Sequence, residues 1–244
     1  MRQGFGTIGA WMGLACVLAL AACTPAQLRM PAGFAASDAT TWPVTGHSPR
    51  RAGEPVRFGP YSALELRDGA TFGWALPVGR VDFGRSERRF AFTLVAIGQP
   101  PVEAQCRVRN IALGQDGANG RVETRVELDL TALAGPMLEC GLVHDGIAPA
   151  LALHLERSGT HLDGHLDSPW GRYDVRSLHG MQGTRIAAYA PTGFEIVGQG
   201  RTPMVVDLID AGHVFLDPSV PEEQRTYFAA VAAALLLLGA DAEA

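Results

Sequence analysis

Ser219-Val220-Pro221-Glu222-Glu223-Gln224-Arg225-Thr226 leads into Tyr227-Phe228-Ala229-Ala230-Val231-Ala232-Ala233-Ala234-Leu235-Leu236-Leu237-Leu238-Gly239-Ala240. The first four residues have the form of a capping box, with Ser219 as N-cap and Glu222 at the third helical position. Pro221 is tolerated in a first turn, and Glu222 and Glu223 suit the positive end of the helix dipole. From Tyr227 to Ala240 there is no charged residue. A helix of this composition has no polar face, so it must be surrounded on all sides. A run of about 14 apolar residues is short for a bilayer and has the length of a buried core helix. Alanines at 229, 230, 232, 233 and 234 keep the helix thin. A barrel larger than eight strands leaves room for such a helix, whereas a smaller one is filled by its own side chains. Lipid, or a slot between a sheet and a partner, are the other surroundings the segment allows.

The chain ahead of this helix supplies the wall. Val122, Thr124, Val126, Leu128 and Leu130 alternate with Glu123, Arg125, Glu127 and Asp129. That period of two marks a half-buried strand. Leu151, Leu153 and Leu155 alternate with Ala152, His154 and Glu156, and Phe90 to Ile97 is apolar on both faces. Further short strands are expected near 57–67, 70–78, 102–110, 137–143, 160–166, 171–178, 184–190, 193–198, 203–209 and 212–217. Gly-containing turns separate them, among them Asp68-Gly69, Asp145-Gly146 and Ser158-Gly159. Short turns imply antiparallel pairing. The expected fold is mainly β: about twelve antiparallel strands in a closed or nearly closed barrel around an apolar C-terminal α-helix at about 220–239.

This plan resembles the tubby C-terminal-like superfamily, which includes tubby proteins, phospholipid scramblases and LURP-one-related proteins. Their shared fold is a twelve-stranded barrel around a hydrophobic C-terminal helix. The resemblance covers roughly residues 56–240 and is best at Tyr227 to Leu238. It implies the fold. The basic phosphoinositide-binding residues of tubby proteins have no counterpart placed on this chain, so their lipid binding is not carried over.

The N-terminus carries an export signal. Arg2 is followed by the uncharged run Ile8 to Ala22, the length of a signal core. It ends in Leu20-Ala21-Ala22-Cys23, which matches the lipobox of bacterial lipoprotein precursors. Acylation of Cys23 is expected to anchor the protein in the bacterial cell envelope. Thr24, in place of Asp, implies the outer membrane by the same resemblance. Residues 1–22 are the expected signal peptide, and 56–244 a single β-rich domain. Residues 23–55 are rich in Ala, Pro, Thr, Ser and Gly and read as a flexible tether, with a span of roughly 30 Å.

A formal charge of −5 and the absence of a basic block argue against nucleic acid as a partner. Arg85, Arg88 and Arg89 cluster around Glu87 in what reads as a solvated turn. Every basic residue is arginine. That excludes a Schiff-base lysine, a Ser-Lys dyad and a P-loop lysine. Cys106 and Cys140 remain after the signal and the acylated cysteine are set aside. In an exported chain they are expected to form a disulfide. Cys106 shares a strand face with Val108, and Cys140 with Leu138 and Leu142, so both thiols should point into the core.

His161, Asp163, His165 and Asp167 are candidate metal ligands within one short stretch. On an extended strand they share a face, but His161 and His165 stand about 13 Å apart. One ion could not join them without a bend at Gly164, so a solvated strand face is the expected reading. His144-Asp145-Gly146 reads as a hairpin turn. No Gly-x-Ser-x-Gly elbow and no GxGxxG turn opening a helix is present. Trp74 and Trp170 suit either surface anchors or core packing. No catalytic residue and no cofactor is expected. The functional expectation is a non-catalytic binding or scaffolding module that meets the membrane through Cys23 and an envelope protein through its surface. Lipid or apolar-ligand binding is the first alternative, and a metal-dependent or other hydrolase the second.

Overall fold

The computed structural model describes residues 26–36, 38–46, 54–78, 81–115, 124–126, 135–144 and 147–239. The expected signal segment and Cys23 lie outside the described residues. So do Val122, Glu123 and residues 127–130 of the strand expected at Val122 to Leu130. Strands β1 (Thr40–Thr45), β2 (Val56–Phe58), β3 (Tyr61–Asp68), β4 (Phe72–Val78), β5 (Val81–Ala96), β6 (Gln99–Gln115) and β7 (Thr124–Val126) come first. They are followed by β8 (Leu138–His144), β9 (Ile147–Ser158), β10 (His161–Ser168), β11 (Gly171–Leu178), β12 (Gly193–Gly198), β13 (Arg201–Asp207), β14 (His213–Leu216) and the helix α1 (Glu222–Gly239).

Twelve of these strands close a ring in the order β5-β3-β2-β1-β14-β13-β12-β11-β10-β9-β8-β6, and β6 pairs back onto β5. All pairings are antiparallel. The expected antiparallel barrel of about twelve strands is therefore the observed one. Two strands stand outside the ring. β5 gives Phe90–Ala96 to β3 and Val81–Glu87 to β4. β6 gives Val102–Val108 to β8 and Leu113–Gln115 to β7. The β5–β6 hairpin thus continues past the barrel rim as an arm flanked by β4 and β7. Residues 81–89 amount to about 30 Å of strand at 3.3 Å per residue.

The barrel interior is filled by α1. Residues Phe228 to Leu236 and Leu238 are buried against inward-facing positions of the wall. Those positions alternate along each strand, as Val102, Ala104, Cys106 and Val108 do on β6 and Leu151, Leu153 and Leu155 on β9. At one end, Tyr173 meets Phe228 edge-on at 5.3 Å and Trp170 meets Tyr227 at 5.1 Å. At the other end, a Cβ on Gly212 would come within 3.2 Å of Leu236. The helix therefore runs from the β10–β11 turn toward the β13–β14 turn. The rim at its C-terminal end also carries the arm and the connection from β11 to β12.

Three expectations are corrected. Residues 23–55 are not wholly a tether: β1 pairs with both β14 and β2, and Leu28 is buried. Part of the segment lies against the outside of the wall, where Phe34 meets Phe215 of β14 edge-on at 6.5 Å. No strand forms at 184–190. Its chain bends back so that Ala188 N–H reaches the His179 carbonyl at 2.8 Å. Arg85, Arg88 and Arg89 lie in the middle of β5 and not in a turn. The helix spans Glu222–Gly239, as expected at about 220–239. The turn before it is held by Asp217, whose carboxylate accepts from Ser219 N–H at 2.7 Å, while Ser219 Oγ accepts from Arg201 at 3.0 Å.

Cys106 and Cys140 are directly paired across β6 and β8, with Cα atoms 4.1 Å apart, and are joined as a disulfide. Both are buried, as their strand faces imply. The bond closes a loop of 34 residues. The double variant Cys106→Ala/Cys140→Ala should retain the β-rich far-UV spectrum. Its free energy of unfolding in urea should fall by about 3 to 4 kcal/mol, the cost of reopening a loop of that length.

Candidate functional site

The histidine cluster read along β10 is divided by the sheet into two. The register with β9 runs unbroken through Gly164, and His165 joins His154 and Asp167 and not His161. Gly164 instead allows a close approach: a Cβ there would overlap the His154 carbonyl oxygen of β9, at 1.9 Å. The register places His165 directly opposite His154, with ring centroids 5.1 Å apart. Asp167 lies beside them, its Oδ2 3.4 Å from His165 Nε2. The ligating atoms of His154, His165 and Asp167 all lie within 4.8 Å of one another. This set has the donors for a zinc-like ion, two imidazoles and a carboxylate.

Arg172 opposes that use. From β11 it donates through Nε to Asp167 Oδ1 at 2.6 Å and through Nη2 to Oδ2 at 3.2 Å. This fork holds the Asp167 carboxyl below the usual carboxylate range. It also sets a fixed positive charge where a cation would sit. The arrangement is that of an outward-facing cross-strand ion pair with neighbouring imidazoles.

His161 and Asp163 belong to a second group, at the rim that also carries the arm. The His161 ring meets His179 edge-on at 4.7 Å. Asp163 Oδ1 accepts from Ser177 N–H at 2.9 Å and lies 3.1 Å from Ser177 Oγ. Ser177 Oγ also accepts from Leu162 N–H at 2.9 Å and lies 3.2 Å from His179 Nε2. His179 Nδ1 is 3.0 Å from the Ala188 carbonyl, and a proton on Nδ1 satisfies that contact. Asp, Ser and His are thus in contact, but Ser177 and His179 are each only 9% exposed. The hydroxyl already takes a backbone donor and has acceptors on two sides. Its role is to tie the ends of β10 and β11 to the loop that follows, where the barrel ladder runs out.

The arm is the third feature. Phe72 is 73% exposed and Trp74 41% exposed, both on β4. With Arg85, Glu87 and Arg89 they line a groove of about 490 Å³. A second groove of about 620 Å³ adjoins it at the arm's base, where Arg67, Arg89 and Arg107 face Glu103 and Glu139. Glu87 is the local hub. It accepts from Arg89 at 2.9 Å and lies 3.4 Å from Arg107 and 3.9 Å from Arg109. The Arg89 hydrogen bond is the main reason its carboxyl is held low. Arg109 also reaches Glu139 at 3.5 Å, and the groove beside Phe72 and Trp74 carries Arg85 and Arg89 against the single carboxylate of Glu87. Among the described residues β4 pairs only with β5, so its outer edge is an open strand edge.

No family model matches the chain, and searches of curated proteins and of solved structures return no match. Trp74 is the surface residue and Trp170 the core-packed one of the two tryptophans. His144 pairs with Ile147, which closes the hairpin expected at His144-Asp145-Gly146; Asp145 and Gly146 lie outside the described residues. Reading the sequence did not single out His154, Ser177, His179 or Arg172. Each joins its group through cross-strand register, and the one available signal was a pair of outward-facing histidines on neighbouring strands.

Arg172→Gln removes the competing charge and frees both oxygens of Asp167. Zinc affinity at the triad, followed by calorimetric titration, should rise by a factor on the order of ten, as for loss of one like charge at a partly screened distance. Adding His154→Ala to that variant should abolish the gain.

Proposed function

We propose that this protein is an exported bacterial envelope lipoprotein, anchored through Cys23, that acts as a non-catalytic binding module. The observation that carries the reading is the arm. It places exposed Phe72 and Trp74 beside Arg85 and Arg89, on a strand with an open edge outside the barrel. Aromatic side chains and arginines are the residues enriched in protein interfaces. An open edge adds backbone donors and acceptors for strand addition. A partner protein of the envelope is the occupant this surface suits.

Two other readings fit less well. Apolar-ligand binding calls for interior space, and the interior is taken up by α1. Both grooves lie on the outside and are lined by charged residues. The reading therefore takes from the tubby-like resemblance only the barrel-and-helix plan. Hydrolysis calls for an accessible nucleophile, and the Ser177 hydroxyl is buried and engaged. The lipobox Leu20-Ala21-Ala22-Cys23 and the apolar run before it support the envelope location.

The test uses the intact precursor expressed in a Gram-negative host, with a photo-crosslinking amino acid at position 72. The protein should fractionate with membranes, and Cys23→Ser should release it. Crosslinking should give a discrete protein adduct that Arg85→Glu weakens. A membrane-bound protein that gives no protein adduct from positions 72, 74 or 85 would contradict the binding-module reading.

A further inference from the structure

The chain enters the barrel much closer to Cys23 than its composition implies. Gln27, Leu28 and Arg29 are fastened to the loop between β11 and β12. Leu28 bridges to Met181. Arg29 N–H donates to the Gly180 carbonyl at 3.0 Å, and Gln182 N–H to the Gln27 carbonyl at 2.8 Å. The Gln182 side chain reaches the Leu28 carbonyl at 3.3 Å. The Arg29 guanidinium binds the carbonyls of Met181 and Thr184. Leu28 itself is 2% exposed. From Cys23 to Leu28 the chain can span at most about 18 Å. An acyl anchor on Cys23 therefore holds this loop near the bilayer surface, and no long tether intervenes.

The loop has the surface for that position. Ile186 is 79% exposed and Tyr189 72% exposed, next to exposed Arg185. An exposed branched aliphatic side chain has a place at the acyl boundary. Tyrosine is enriched at the headgroup level, where its ring and hydroxyl are both accommodated. Arginine is attracted to lipid phosphates. The arm springs from β5 and β6, across the ring from β11 and β12. Arm and loop stand on the same rim, at positions across the ring from one another.

We infer that the loop 179–192 is a membrane-contacting surface that docks the barrel against phospholipid headgroups beside the Cys23 anchor. The inference rests on the lipoprotein reading proposed above. Its occupant is the lipid surface; a protein bound to this loop is the competing outcome.

The disulfide and the acylated Cys23 leave an introduced cysteine as the one reactive thiol of the mature chain. Acylated protein carrying Ile186→Cys, labelled with an environment-sensitive fluorophore, is reconstituted in phosphatidylethanolamine–phosphatidylglycerol vesicles. Ile97→Cys serves as the control, since Ile97 is 98% exposed at the β5–β6 turn at the opposite end of the barrel. The expected result is a blue shift at position 186, quenched by headgroup-proximal nitroxide lipids, with none at position 97. An aqueous signal at 186 in protein whose mass shows the acyl chains overturns the docking and leaves the anchor intact. So does a shifted signal that appears only when other envelope proteins are added. A mass without acyl chains on Cys23 overturns the anchor, and the docking with it.

Discussion

The constraint on which the rest depends is that α1 has no polar face. A helix normally leaves its outer stripe to water, and this one offers no such stripe from Phe228 to Leu236. Burying it requires apolar side chains around its whole circumference, at a distance set by alanine. A closed ring of twelve strands supplies them. The barrel and the helix are in this sense one object. The helix keeps the barrel from being hollow, and the ring satisfies every face of the helix. Closure also removes the edges of the ring strands, so that among the described residues the strand edges left unpaired are on the arm.

This solution commits the interior to stability, and the chemistry is pushed outward. Buried polar groups sit where ladders end, as Ser177 and His179 do. Charged groups sit on the outer faces of strands, paired across the register, as Asp167 with Arg172 and Glu87 with Arg109. The features that carry exposed large apolar side chains are the arm with Phe72 and Trp74 and the loop with Ile186 and Tyr189. They share one rim and lie across the ring from one another.

Much of this was legible from one sequence, for reasons that can be stated. The apolar run in α1 and the alternation in β9 and β10 are periodicities, and periodicity survives without partners. The pairing of Cys106 with Cys140 followed from compartment and strand face. Three things were hidden. β1 reads Thr40-Thr41-Trp42-Pro43-Val44-Thr45, with a proline inside and one buried residue, Val44, so that it passes for a linker. Its strand character comes from β14 and β2 on either side. The arm was hidden because β5 and β6 are single strands that serve two neighbours each, which alternation cannot show. The histidine pairing was hidden because register decides it: His154 and His165 face outward in any register, but they meet in one. The arginines of β5 looked like a turn for the same reason, since Arg107 and Arg109, which also face Glu87, belong to β6.

The central claim is that the wall closes tightly on a helix made thin by alanine. It is tested most directly by urea denaturation of Ala230→Leu and Ala233→Leu, both at positions with no exposure. On an open or lipid-facing helix these changes would be neutral or stabilising, since leucine is a good helix former. Inside a filled barrel each forces the wall outward, and each should lower the free energy of unfolding by about 1 to 3 kcal/mol. Unchanged or increased stability in both variants would contradict the account.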